Sequence, residues 1–368
     1  MRHAPRFGVL LALVSVLFIT QVAVAQSPRD DSQPPFGEEV EVTEVLLDVL
    51  VTDRGGRVIL DLGVADFVVE ENGETVDLTG VSFYSNRRLI DHDAETSQPA
   101  DRYFILFFHD QARNGGTLGS ALLRRQLEAG RGARDWVQSG MTGGDWVAVV
   151  SWDTSLQVHS DFTQNRAQLS MAIDHAIEGR TETNQWPSRR EAPAADTPSL
   201  LAELPPGKAL SDETETMYDA LSQVAEATGK LSGRKSLMLF TAGFGEVTPI
   251  AVGTRGDPRF YPETKEALND YNVAVYPLDL VPANLENLQS SFLTQLANDT
   301  GGRYWDNVVN YQSPLERIAD ENSGYYLLSY QSRHPSGESG FQEVDVDTVN
   351  PEFRVRARRG YSFGDETD

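Results

Sequence analysis

The sequence predicts an α/β protein: a doubly wound, mostly parallel sheet flanked by helices, with a small β-sandwich built from the strands at its two ends. Three observations carry this. Short continuous apolar runs at residues 103–108, 146–152, 236–241 and 273–278 alternate with stretches of helical periodicity, as strands buried on both faces do. The flanking segments, 38–85 and 323–361, instead read as short strands cut by Gly, Asn, Ser and Pro turns. Neither flank is large enough to bury a face alone, so the two are expected to meet.

Each element follows in order. Arg2 and Arg6, the apolar span 7–25 and the small residues Ala23-Val24-Ala25 have the form of a cleaved secretory signal over 1–25, followed by a polar linker, 26–37. Strands are expected at 40–51 and from Val58, around the turn Asp53-Arg54-Gly55-Gly56. Two more flank Asn72-Gly73, residues that tolerate the positive φ angles of a type I′ turn. The α/β region spans 101–322, with helices at 118–138, 166–177, 215–228, 263–270, 288–298 and 314–321. Residues 178–211, rich in Thr, Pro, Arg and Ala, read as a long inserted loop, mobile at least in part. Strands at 325–330, 341–349 and 353–357 complete the sandwich within 323–361.

Composition narrows the function. The chain has 368 residues, 40% of them hydrophobic, enough for at least one full core. Lys and Arg number 31 against 55 Asp and Glu, a formal charge of -24 that repels a phosphate backbone, so nucleic acid is not an expected partner. There are no cysteines, which excludes thiol catalysis, Cys-based metal sites and disulfides. After signal cleavage no stable membrane span is expected. An exported protein of the periplasm or the extracellular space fits best.

The ordered segments LLDVLVTDRGGRV, LGVADFVVEENGETV, YFILFFHD, WVAVVSWD, GRKSLMLFTAGF, NVAVYPLDL, LANDTGGRYW, IADENSGYYLLSY and FRVRARRGY resemble the von Willebrand factor A (vWA)-related domain family of Acidobacterial type, whose members are exported. The resemblance covers 38–361. It implies a vWA fold for 101–322, in which the end of the first strand and two neighbouring loops usually form a metal-ion-dependent adhesion site. That site uses Asp-x-Ser-x-Ser, a Thr and a further Asp to hold Mg²⁺ while leaving a position for a partner's carboxylate. In this chain the pattern is degenerate. Asp110 is retained, Ala112 stands at the first Ser position and Asn114 at the second. Glu215 falls where Thr belongs, with Thr214 and Thr216 on either side, and Ala242 replaces the last Asp. The resemblance therefore implies at most a weakly held Mg²⁺ or other divalent cation on Asp110, Asn114 and one of Thr214, Glu215 or Thr216. Arg113 is expected to compete with it for Asp110.

Other chemistry is sparse. The six histidines show no metal-ligand spacing, and only His109 stands at an expected strand end, without a Gly-x-Ser-x-Gly nucleophile elbow. Glycine-rich pieces lack phosphate-loop spacing. Asp345 and Asp347 alternate with Val344 and Val346, placing the acids on a solvated strand face, and Arg354, Arg356, Arg358 and Arg359 are expected on another, paired with the acidic remainder. Trp186 and Tyr261 lie in expected loops, as covers or interface anchors, whereas Trp136, Trp146 and Trp152 read as core. The sequence thus points to a non-enzymatic binding module that presents its strand-end loops and the 178–211 insertion to another protein or a surface polymer. The alternatives are a hydrolase using acid residues near His109 and Asp110, and an envelope assembly factor acting through sandwich edges.

Overall fold

The computed structural model describes residues 40–85, 101–110, 116–179, 197–247, 254–335 and 338–364, and the signal and linker segments, Arg113, Asn114 and Trp186 lie outside them. The chain opens with β1 (Val40–Thr52), β2 (Phe67–Glu71), β3 (Glu74–Thr75) and β4 (Leu78–Ser85). The α/β region follows with β5 (Arg102–His109), α1 (Gly116–Ser139), β6 (Asp145–Trp152), β7 (Leu156–Thr163), α2 (Arg166–Ile177), α3 (Lys208–Asp212), α4 (Met217–Ala227) and β8 (Lys235–Thr241). It continues through the short pair β9 (Glu246–Val247) and β10 (Thr254–Arg255), then α5 (Tyr261–Asp270), β11 (Val273–Asp279), α6 (Ser290–Asp299) and α7 (Gln312–Glu321). The last strands are β12 (Gly324–Pro335), β13 (Gly340–Thr348), β14 (Arg354–Arg356) and β15 (Gly360–Phe363).

The expected fold class is the one observed. One sheet has the order β11-β8-β5-β6-β7, its first four strands parallel. Its runs are apolar throughout because alternate residues feed two separate cores. Phe104, Leu106 and Phe108 pack with α1, α2 and α7, while Ile105 and Phe107 face α4 and the α5–α6 side. From β5 the chain passes through α1 to β6 on one side and later returns to β8 on the other. That reversal opens a crevice beyond the C-terminal ends of β5 and β8.

The two flanks form the sandwich. Its sheets, β14-β1-β12-β4 and β15-β13-β2-β3, enclose Leu47, Val49, Val69, Tyr326, Leu328 and Val344. Asn72 and Gly73 join β2 to β3 with φ of 50° and 82°, the turn their sequence predicts.

Several features differ from the sequence reading. The strand expected from Val58 is only an isolated bridge between Val58 and Thr52. The sheet has an antiparallel edge strand, β7, which pairs with β6 and alternates buried with half-buried residues. The second half of the insertion is not an open loop: Leu200 and Leu204 are buried, and Asp161 of β7 accepts hydrogen bonds from the Leu200 amide (2.7 Å) and the Ser199 hydroxyl (2.5 Å, both ends partly buried). The arginines near β14 do not share one solvated face. Arg356 pairs with buried Glu321, and Arg358 donates to the carbonyls of Asn269 and Leu46, both at 2.9 Å.

Arg358 belongs to the seam between sandwich and parallel sheet. Asp48 of β1, only 6% exposed, accepts a hydrogen bond from Asn272 at the start of β11 (2.5 Å). Burial pushes its carboxyl above the ordinary range, against the pull of Asn272, Arg234, Arg358 and Lys235. Burial likewise lowers Lys235 to about 8, against the attraction of Asp48. The three cations are themselves bonded to carbonyls: Arg234 to Gly301, Lys235 to Leu231, Arg358 to Asn269 and Leu46.

Removing Asp48 takes the partner from the Asn272 amide. Asp48→Ala is expected to cost about 1–3 kcal/mol in equilibrium denaturation. Lys235→Met in the same background should recover part of that loss, a coupling of about 1 kcal/mol or more; additive losses would mean that the two charges do not interact.

Candidate functional site at the strand ends

The crevice beyond β5 and β8 is lined by side chains that bond to one another. His109 ends β5 and Thr241 ends β8, and their Nδ1 and Oγ1 atoms lie 2.8 Å apart. The Thr241 hydroxyl also accepts from the Gly243 amide at 2.9 Å. Gly243 has φ 109°, and a Cβ there would lie 2.2 Å from the Gln289 side chain, so only glycine makes this turn. Thr241 has no exposed surface. Around His109 stand Trp152 and Phe244, with ring centroids at 5.5 and 6.4 Å, and Phe244 continues into Tyr218 and Phe292. Burial in this aromatic setting lowers the His109 pKa to about 4, against the attraction of Asp110. The ring is neutral at ordinary pH.

Asp110 turns to one side of the sheet. Its Oδ1 accepts from Gln126 Nε2 of α1 at 2.9 Å, and the same amide donates to the Ile177 carbonyl at the end of α2. Its Oδ2 faces Gly179, where an added Cβ would lie 3.2 Å away. Thr216 lies on the opposite side. It caps α4, which packs on the other core, and its hydroxyl donates to Asp219 Oδ2 (2.7 Å) while accepting from the Asp219 amide (3.1 Å). Thr214 is buried and structural: its hydroxyl accepts from the Leu156 amide at 2.9 Å and donates to the Leu210 carbonyl at 2.5 Å. Glu215 is exposed.

Trp152 lies between the two loops, its carbonyl accepting from the Asp110 amide (2.8 Å) and its Nε1 donating to the Thr214 carbonyl (2.9 Å), while Asn114 lies outside the described residues. Ala112 and Ala242 carry no ligand atom. Among the described residues no group of three His, Asp or Glu is placed to hold a metal ion. Of the expected donors, the Asp110 carboxylate accepts from Gln126 and the Thr216 hydroxyl donates to Asp219.

Two features escaped the sequence reading. Asp279 ends β11, and its carboxylate accepts from the Val281 amide (2.7 Å), Asn287 (2.9 Å) and Tyr304 (2.8 Å), while Tyr311 donates to its carbonyl (2.7 Å). Burial raises its carboxyl, against those hydrogen bonds. This shapes the loop before α6, which exposes Leu285 at 48% and Leu288 at 68%. Leu118 in the first turn of α1 and Val309 before α7 stand at the same end of the sheet, 50% and 84% exposed. Tyr261 is the cover expected of it, buried and donating to Asp299 at 2.6 Å.

No family model matches the chain, and no curated protein matches it. Among solved structures, a von Willebrand factor type A protein from Catenulispora acidiphila is 10% identical with a TM-score of 0.40, over 88% of this chain and 75% of that one. BatB from Bacteroides thetaiotaomicron is 15% identical with a TM-score of 0.36, over 61% and 98%. An aerotolerance-related membrane protein from Bacteroides fragilis is 12% identical with a TM-score of 0.37, over 60% and 98%.

His109 gives the site a pH signature. As pH falls below 6.5 the unfolded chain takes up a proton on this residue, whereas the folded chain resists until about 4. Stability is therefore retained above 6.5 and lost between 6.5 and 4, by up to about 3 kcal/mol for this group. His109→Asn should flatten that part of the profile in denaturation at pH 7.5, 5.5 and 4.5, values about these limits. An unchanged slope would place the proton uptake elsewhere.

Proposed function

We propose that this chain is an exported, non-enzymatic protein-binding module that docks its partner on the loops at the C-terminal end of the parallel sheet, without a bound metal. The observation that carries the reading is the set of exposed apolar side chains there, Leu118, Leu285, Leu288 and Val309. Large apolar groups held in water on loops anchored to a rigid sheet are what a protein partner buries. Beneath them the polar groups of a degenerate adhesion site are tied to the chain itself: His109 to Thr241, Asp110 to Gln126, Thr216 to Asp219. The remnant then serves as a floor that holds the loops.

Export rests on the leader-like first 25 residues, and no helix among the described residues is long and apolar enough to cross a membrane. The relation to exported vWA-related proteins rests on the nine ordered motifs. A hydrolase is the weaker reading. The nearest approach to a nucleophile and base is Thr241 with His109, and Thr241 is sealed from solvent, where no substrate reaches it.

The test is a paired capture. Wild type and Leu285→Ser/Leu288→Ser are immobilised in EDTA over envelope extract of the source organism, and retained proteins are quantified after cross-linking. Species held by wild type should fall about tenfold on the double variant, with stability unchanged to about 0.5 kcal/mol. Equal retention on both, or retention that requires added Mg²⁺, would contradict the proposal.

A further inference from the structure

The first strand of the sandwich is paired along only part of one side. β12 runs antiparallel to β1 over Val40–Val49, but on the other side β14 covers only Leu50, Val51 and Thr52. The Leu46 carbonyl points to that second side, where Arg358 donates to it. Because backbone groups alternate along a strand, the N–H and C=O of Glu44 and Val42 point the same way. Among the described residues neither meets a backbone partner there. Beside this edge runs a groove of about 890 Å³, lined opposite by Phe341 of β13 and Phe363 of β15 and also by Glu44, Glu266 and Asp270.

We propose that this groove receives an extended, basic segment of a partner protein, which adds to β1 as a strand. Its backbone would continue the ladder at Val42 and Glu44. Alternate side chains would enter the groove against Val45 and Phe363, and those between them would lie beside Val42, Glu44 and Leu46, on the outer face. Charge selects the occupant. Glu44, Glu266 and Asp270 line the groove, and Arg358, whose guanidinium is held by the Asn269 and Leu46 carbonyls, lines it too, in a chain of net charge -24. A second copy pairing edge to edge would set these acids side by side, whereas Lys or Arg opposite Glu44 makes a favourable cross-strand pair. The surface lies on the sandwich, apart from the strand-end loops, so it stands or falls separately from their role.

The probe is a capped octapeptide alternating lysine with valine and threonine, followed by fluorescence anisotropy with the full mature chain. Its glutamate counterpart and two versions N-methylated on alternate amides, one of each parity, serve as comparisons. The lysine peptide should bind at micromolar to millimolar concentration and the glutamate peptide should not. One methylation parity should weaken binding about tenfold more than the other, because only one set of amides faces β1. Glu44→Pro removes an N–H that faces the groove without touching the β12 ladder, and should weaken binding further than Glu44→Gln. Four results would overturn the proposal: no binding of the lysine peptide, equal binding of both charges, equal loss with both parities, or a self-dimer in sedimentation that Glu44→Pro dissolves.

Discussion

At the C-terminal end of the parallel sheet the polar groups that close the strands are buried, and burial obliges each to find a partner within the chain. β5 ends on His109 and Asp110, β8 on Thr241 and β11 on Asp279. Their partners are Thr241 for His109, Gln126 for Asp110, and Asn287 and Tyr304 for Asp279. Each bond also places a loop. The His109–Thr241 contact holds the Gly243 turn, Gln126 ties α1 to the end of α2, and Asp279 shapes the loop that exposes Leu285 and Leu288. Side chains of the chain itself hold these loops, and the apolar tips Leu285 and Leu288 stand on the one that Asp279 shapes.

The opposite end of the sheet solves a similar problem with charge. Asp48 reaches from the sandwich into a cluster of Arg234, Lys235 and Arg358, and Asn272 completes it. Such an arrangement is a poor source of stability compared with apolar packing, but it is selective: a shift of β1 by one residue would turn Asp48 to the other face, away from Asn272. Together the two ends keep the sheet in one relation to both its loops and its sandwich.

Much of the fold was legible because its signals are local. The run 103–108 is apolar at every position since both of its faces are covered, and Asn72-Gly73 announces its turn. β7 was missed because Gln157, His159 and Asp161 interrupt its apolar residues; the period of two was present, but continuous runs drew the assignment. The site was less legible. Asp110 is named by its motif, yet its partner Gln126 is marked only by being a polar residue on the stripe of Leu122, Ala129 and Ala133, a hint of a buried bond without its address. The packing of Ser199 and Leu200 on Asp161 is a tertiary contact no local pattern encodes.

We propose that side chains hold the strand-end loops without an ion. The most direct measurement is calorimetric titration of Mg²⁺ and Mn²⁺ into the mature chain, beside a variant carrying Ala112→Ser, Glu215→Thr and Ala242→Asp that restores the lost ligands. The account predicts no saturable heat from the natural chain and a saturable site in the variant. Saturable binding to the natural chain, abolished by Asp110→Ala, would contradict it.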